Sequence, residues 1–187
     1  MMEKQLIRCD WVGSDPLEQQ YHDHEWGRVQ KDGYKLFEKI CLEGQQAGLS
    51  WITILKKREE YRRCFYHFDP HKIITITSID PLLQNPGLIR HPAKLNAIIK
   101  NAQAYVRMEK NGEDFSRFIW SFVDNKSIIN HYSSLTEIPT QTDISHNMSR
   151  ALKKRGFVFV GPVTCYAFMQ SMGLVNDHIN NCFCRSL

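Results

Sequence analysis

Apolar residues recur at helical spacing along most of the chain and divide it into a succession of helices. Leu36, Phe37, Ile40 and Cys41 share one face of a helix predicted around 34–46. Trp51, Ile54, Leu55 and Arg58 share a face of another around 50–65. The clearest stripe, Leu95, Ile98, Ile99, Ala102 and Val106, predicts a helix over 92–111. Further helices are expected over 115–122 and 147–155, and Val163–Met172, apolar all round, should be a buried core helix. Asp15-Pro16 reads as a cap followed by a first-position proline. Two short runs, Ile73–Thr77 and Phe157–Val160, read locally as strands. The polar stretch 124–146, broken by Pro139, is expected to be a mobile crossover without a domain boundary. The pattern is that of an all-α protein in one domain, 1–187, without internal repeats.

Composition narrows the function classes only a little. A chain of 187 residues can bury a real core, and its hydrophobic share of 42% is ordinary for a folded protein. The net charge of +4 permits a nucleic-acid partner without demanding one. No apolar run approaches the ~20 residues of a membrane span, and Met1–Gln5 lacks the apolar core of a signal peptide. A soluble cytoplasmic protein is the expectation, so six cysteines do not imply a disulfide framework. Cys41, Cys64 and Cys165 fall inside helical patterns as core thiols; Cys9, Cys182 and Cys184 lie near the termini.

The richest chemistry lies where two helical patterns join, in Leu42-Glu43-Gly44-Gln45-Gln46-Ala47-Gly48-Leu49-Ser50-Trp51-Ile52-Thr53. Glycines punctuate the join, and Ser50 is placed to cap the second helix. Polar side chains at the meeting of two apolar faces either line a pocket or are held in the core. Glu43 is thus a ligand acceptor or a buried carboxylate, and Trp51 a stacking surface or a core residue. A second feature, Asp80 through Pro92, reads as short helix, tight turn and helix, with Asp80 capping the first and Pro92 opening the second. On the residues alone this is a plain helical corner before it is anything else; in a DNA-binding hairpin of this outline the backbone amides and the second helix's N-terminus face a DNA phosphate. A third is Cys9, His22 and His178-x3-Cys182: two thiolates and two imidazoles, the donor set of a closed tetrahedral zinc site joining 9–22 to 178–182. Cys184 competes with Cys182 for the fourth position.

Cys9-Asp10-Trp11, Tyr21-His22-Asp23, the Leu42–Arg58 segment, Phe115–Val123 and Asn176-Asp177-His178 closely resemble the bacterial 3-methyladenine DNA glycosylase I family. The resemblance runs from about Cys9 to Cys182. It implies a helix-hairpin-helix glycosylase fold with the hairpin near 80–100 and termini tied by one structural Zn2+ per chain, and it makes Ile73–Thr77 helical or irregular despite its strand-like composition. It also implies excision of 3-methyladenine from double-stranded DNA, leaving an abasic site, by a monomer with no protein partner. The ligands it implies are Cys9, His22, His178 and Cys182, since the His-x3-Cys spacing matches and His-x5-Cys does not. Glu43 would accept hydrogen bonds from the base edge and serve as the catalytic-site carboxylate. Tyr21 and Trp51 would flank the base, with Trp11 nearby. Leu49 would wedge into the duplex, and Gly87 and Lys94 would contact DNA at the hairpin.

Two positions depart from the family pattern: Glu18, where an aromatic is usual, and Pro92, where an arginine is usual. The second hairpin glycine is also missing, Arg90 following Gly87-Leu88-Ile89. The aspartate that related hairpin glycosylases place beyond the hairpin has no clear counterpart; Asp114 and Asp124 are candidates by position alone. Lys56-Lys57-Arg58 and Lys153-Lys154-Arg155 are candidate phosphate contacts, or solvated charge runs. Two alternatives to the glycosylase remain at this stage: a non-catalytic zinc-stapled DNA-binding module, and a zinc hydrolase, which would need an open metal position.

Overall fold

A computed structural model describes residues 6–186. Its described residues form nine α-helices: α1 Pro16–His24, α2 Gly33–Gln46, α3 Trp51–Cys64, α4 Pro70–Ile73, α5 Asp80–Leu83, α6 Pro92–Lys110, α7 Phe115–Ser121, α8 Asp143–Lys154 and α9 Pro162–Ser171. Side-chain caps set most of the starts. Asp15 accepts from the Leu17 N–H, Asp32 from Lys35 and Asp114 from Arg117. Asp114, weighed as a catalytic residue, is therefore a helix cap.

The core gathers α2, α6 and α9. Leu36, Phe37 and Ile40 of α2 meet Leu95, Ile98 and Ala102 of α6 and Phe168 and Met169 of α9, all buried. As expected, α9 is a core helix: of its residues only Val163 stands out, 53% exposed.

Several expectations are corrected. Neither run forms a strand: Ile73–Thr77 is helix and turn, as the resemblance implies, while Phe157–Val160 departs from its local reading. Ile73 closes α4, and the chain then turns, Thr75 and Ile76 donating back to the carbonyls of Lys72 and Ile73. Phe157–Val160 is a bend, because Phe159 takes a left-handed φ of 55° that no strand allows. The strands present are two-residue segments, β1 Ile128–Ile129 and β2 Val175–Asn176, paired in parallel. Helix α8 starts at Asp143, four residues before the expected 147, on a reciprocal cap between Thr142 and Ser145. Asp80 lies inside α5 rather than capping it. Ser50 precedes α3, but its hydroxyl pairs with that of Thr53 instead of a backbone amide.

The crossover 124–146 is pinned to the rest of the chain at several points. Asn130 N donates to Asn176 O, Asn180 N to Tyr132 O, and Leu135 N to the Asp10 carboxylate at 3.1 Å. The last contact sets Leu135 and Ile138 against the functional site.

Candidate base pocket and metal cluster

Tyr21, Trp11, Glu43 and Trp51 converge on one cavity of about 240 Å³. Trp26, Gln46, Leu135, Ile138, Ala167 and Gln170 complete its lining. Helix α2 delivers Glu43 and Gln46 one turn apart, and α3 opens with Trp51 across the 47–50 turn. Gly48 makes that turn, at φ +78°, and leaves Leu49 39% exposed at its tip. Gly44 lets α2 approach the 157–160 bend, since a Cβ there would lie 3.1 Å from Phe159.

The walls are aromatic. Tyr21 and Trp51 have ring centroids 5.4 Å apart at 40°, and Trp11 and Trp26 lie edge to face at 5.2 Å. A purine stacked on both sides needs its walls roughly 7 Å apart, two contact distances. Tyr21 and Trp51 are therefore adjacent walls in this state, not the two sides of a sandwich. The indole N–H groups of Trp11 and Trp51 are both buried without a hydrogen-bond partner. Buried polar groups are rarely left so, and both residues belong to the lining of this cavity.

Glu43 is 5% exposed, and burial raises its carboxyl above the ordinary range. Among the described residues its charged partner is Lys39, one turn earlier on α2, with Nζ 3.4 Å from Oε1. Glu18 does not line the cavity; its carboxylate accepts from the Gly13 N–H at 2.7 Å. Asp177, from the Asn-Asp-His motif, is buried and accepts from Gln170 at 3.0 Å and Asn130 at 2.7 Å. It thereby fixes Gln170 in the pocket wall.

Behind Trp26 sits the cluster of Cys9, His22, His178 and Cys182, all buried, with donor atoms within 4.8 Å of one another. Its chemistry fits a metal ion. His22 Nδ1 pairs with Asp23 Oδ1 at 2.8 Å and His178 Nδ1 with Asn176 Oδ1 at 3.1 Å, which turns both Nε2 atoms inward. His178 Nε2 is buried with no hydrogen-bond partner. Burial pushes the His178 imidazole down to about 4, so it is neutral, as a ligand must be. Hydrogen bonding with Cys9 and His22 brings Cys182 down to about 4, while the same pairing pushes Cys9 up. Gly27, at φ +77°, is required here: a Cβ would lie 2.5 Å from the His178 ring. Cys184 stands outside this set, 4.0 Å from His22 Nδ1, the wrong nitrogen.

The hairpin holds a correction. Helix, turn and helix are present as α5, 84–91 and α6, with Pro92 opening α6 as expected. Lys94, however, is turned inward. Its ammonium donates to Gln45 O at 3.0 Å and Ala47 O at 2.6 Å, at the open end of α2, so it braces the Leu49 turn instead of presenting charge to a phosphate. The Gly87 N–H is likewise engaged, by Asn85 Oδ1 at 2.8 Å, and this glycine is needed for close packing on Glu60. The basic run is also largely paired: Lys56 with Asp15, Lys57 with Pro86 O and Arg58 with Glu25.

The methyladenine glycosylase family model matches residues 11–185. The chain belongs to that family. It is 62% identical to a DNA-3-methyladenine glycosylase of Haemophilus influenzae over 181 residues, 96% of this chain and 98% of the other. Its fold superposes on a crystal structure of 3-methyladenine DNA glycosylase I with a TM-score of 0.94 at 59% identity, covering 95% and 99% of the two chains. A variant of 3-methyladenine DNA glycosylase I in complex with 3-methyladenine matches at a TM-score of 0.92 and 39% identity, covering 95% and 97%.

Sequence reasoning missed Lys39, Trp26, Gln46 and Gln170. Gln46 lies inside the recognised 42–53 segment and Trp26 five residues after Tyr21, so both were within reach. Lys39 offers no signal: one lysine in a helix ordinarily faces water.

Proposed function

We propose that this protein is a monofunctional DNA-repair glycosylase that hydrolyses the N-glycosidic bond of 3-methyladenine in alkylated double-stranded DNA. It releases the free base and leaves an abasic site. The observation that carries this reading is the aromatic cavity of about 240 Å³ with Glu43 in its lining and two unpartnered indole N–H groups around it. Family membership supports the substrate.

The chemistry asks little of the protein. An N3-alkylated adenine is cationic in DNA and leaves as a neutral base, so its departure needs no proton. The nucleotide must leave the stack at a cost of a few kcal/mol, and aromatic contact returns about 1–3 kcal/mol per base. Glu43 accepts from the base edge, Trp51 and Tyr21 supply stacking surface, and Trp11 closes the pocket. Leu49, at its exposed turn, fills the gap in the duplex. The α5–α6 hairpin meets the backbone at the N-terminus of α6, with Lys94 and Gly87 shaping that surface from within.

Cys9, His22, His178 and Cys182 would hold one Zn2+ per chain. Bound there, the ion supplies a structural cross-link with no open position for water. The protein works as a monomer in the cytoplasm. The test is release of 3-methyladenine from methylated duplex DNA, followed by chromatography of the free base. A non-catalytic zinc-stapled module would bind DNA and release nothing.

A further inference from the structure

Lys39 is 5% exposed, and every contact of its ammonium is a pocket residue. Nζ donates to the Tyr21 hydroxyl, lies 3.5 Å from the Trp51 ring centroid and 4.6 Å from that of Tyr21, and stands 3.4 Å from Glu43 Oε1. It approaches from behind. Tyr21, Trp51 and Lys39 also line a larger open cavity of about 620 Å³ on the far side, which Glu43 does not reach. One buried amine thus touches the carboxylate and two aromatic walls of the base pocket without itself lining it.

We propose that Lys39 is a positioning residue of this pocket, whose ammonium holds Glu43 ionised and offsets its charge. The proposal rests on the base-pocket reading above. A buried carboxylate without a partner protonates or is expelled to water, so an acceptor at Glu43 needs a neighbouring cation. The offset has a second effect. As the glycosidic bond breaks, positive charge leaves the base for the sugar. A bare carboxylate on the base edge would therefore hold the cationic ground state more tightly than the transition state and slow the reaction. A neutralised pair keeps the hydrogen-bond acceptor and removes that penalty.

The surrounding charges leave Lys39 as the group that matters. Tyr21 and Glu25 face it from α1 and the residue after it, and Arg58 from α3. Arg58 is paired with Glu25 at 2.6 Å, so these two largely cancel. From α9 the cavity receives only the neutral Ala167 and Gln170. Burial brings Lys39 down to about 8, which leaves it charged at neutral pH.

The test needs no ligand at first. The Glu43 carboxyl carbon, assigned by its disappearance in Glu43→Gln, is titrated by NMR in the metal-loaded wild type, Lys39→Met and Lys39→Gln. Both Lys39 variants should raise its midpoint by at least about one pH unit, and affinity for free 3-methyladenine should fall about tenfold on that acid limb. The reciprocal measurement uses Lys39 itself: Glu43→Gln should lower its midpoint below that of the wild type. An unchanged Glu43 midpoint in a folded Lys39 variant overturns the proposal, as does an unchanged Lys39 midpoint in Glu43→Gln. A wild type that titrates as expected but releases no base would instead refute the glycosylase reading and leave the ion pair standing.

Discussion

The Cys/His cluster and the aromatic cavity share a wall. Trp26 lines the cavity, and its ring lies 4.7 Å from that of His178. Both regions hold buried polar atoms with no partner: His178 Nε2 on one side, the indole N–H groups of Trp11 and Trp51 on the other. The difference lies in what surrounds the orphans. In the cluster four donors converge within 4.8 Å and outer partners fix both imidazoles, so one ion could satisfy all of them at once. In the cavity the orphans belong to two separate lining residues, Trp11 and Trp51, around space for a flat molecule. A converging set reads as a permanent fixture, a dispersed set as a place for something that comes and goes.

Breaking the cluster should have the largest effect, and it should act on the fold. Cys182→Ser removes a ligand from a site joining residues far apart in sequence. The expected loss is several kcal/mol, a fall in Tm of about 10 °C or more at ~2–4 °C per kcal/mol. Calorimetry with metal analysis checks it. A variant that binds no metal yet melts like wild type would reverse the assignment.

Glu43→Gln should act on the cavity alone. A hydrogen bond to a charged acceptor contributes about 1.5–3 kcal/mol, so affinity for free 3-methyladenine should drop roughly 10- to 150-fold. Metal content should stay at one ion per chain. Calorimetric titration that finds wild-type affinity would make Glu43 a structural residue.

Leu49→Ala should separate the pocket from the duplex. Excision from double-stranded DNA should fall about tenfold while free-base affinity holds, because a wedge counts only where a stack must open. Equal losses would place Leu49 in the pocket wall. Trp11→Phe is the smallest perturbation. It keeps an aromatic ring and deletes one orphan N–H, costing about 2- to 10-fold in base affinity if a ligand accepts from it. No change, with Tm preserved, would mean that this N–H is unpartnered in the complex as well.

Legibility followed the same division. The helices with local signals could be read: the Asp15-Pro16 start, the α6 stripe and the apolar α9 each carry their reason in neighbouring residues. The convergence of Cys9, His22, His178 and Cys182 was readable because thiolates and imidazoles are few and their chemistry is narrow. Phe157–Val160 was not, because its strand-like composition serves a bend that packs on Gly44. Lys94 misled for a related reason: charge in a hairpin suggests phosphate, and only the fold reveals that the open end of α2 lies within reach. Lys39 was invisible, since its burial depends on α1 and α3 closing over one side of α2.

The cavity wall draws on both ends of the sequence, Trp11 and Tyr21 from one and Ala167 and Gln170 from the other. That arrangement has a consequence for synthesis. Roughly 150 residues separate Tyr21 from Gln170, and at ~5–20 residues per second a ribosome needs about 7–30 s to cross that interval. Throughout it the nascent chain has an incomplete pocket, and fragments from stalled translation never acquire a whole one. A protein that pulls bases out of DNA is thereby inert until the chain has been made past Gln170.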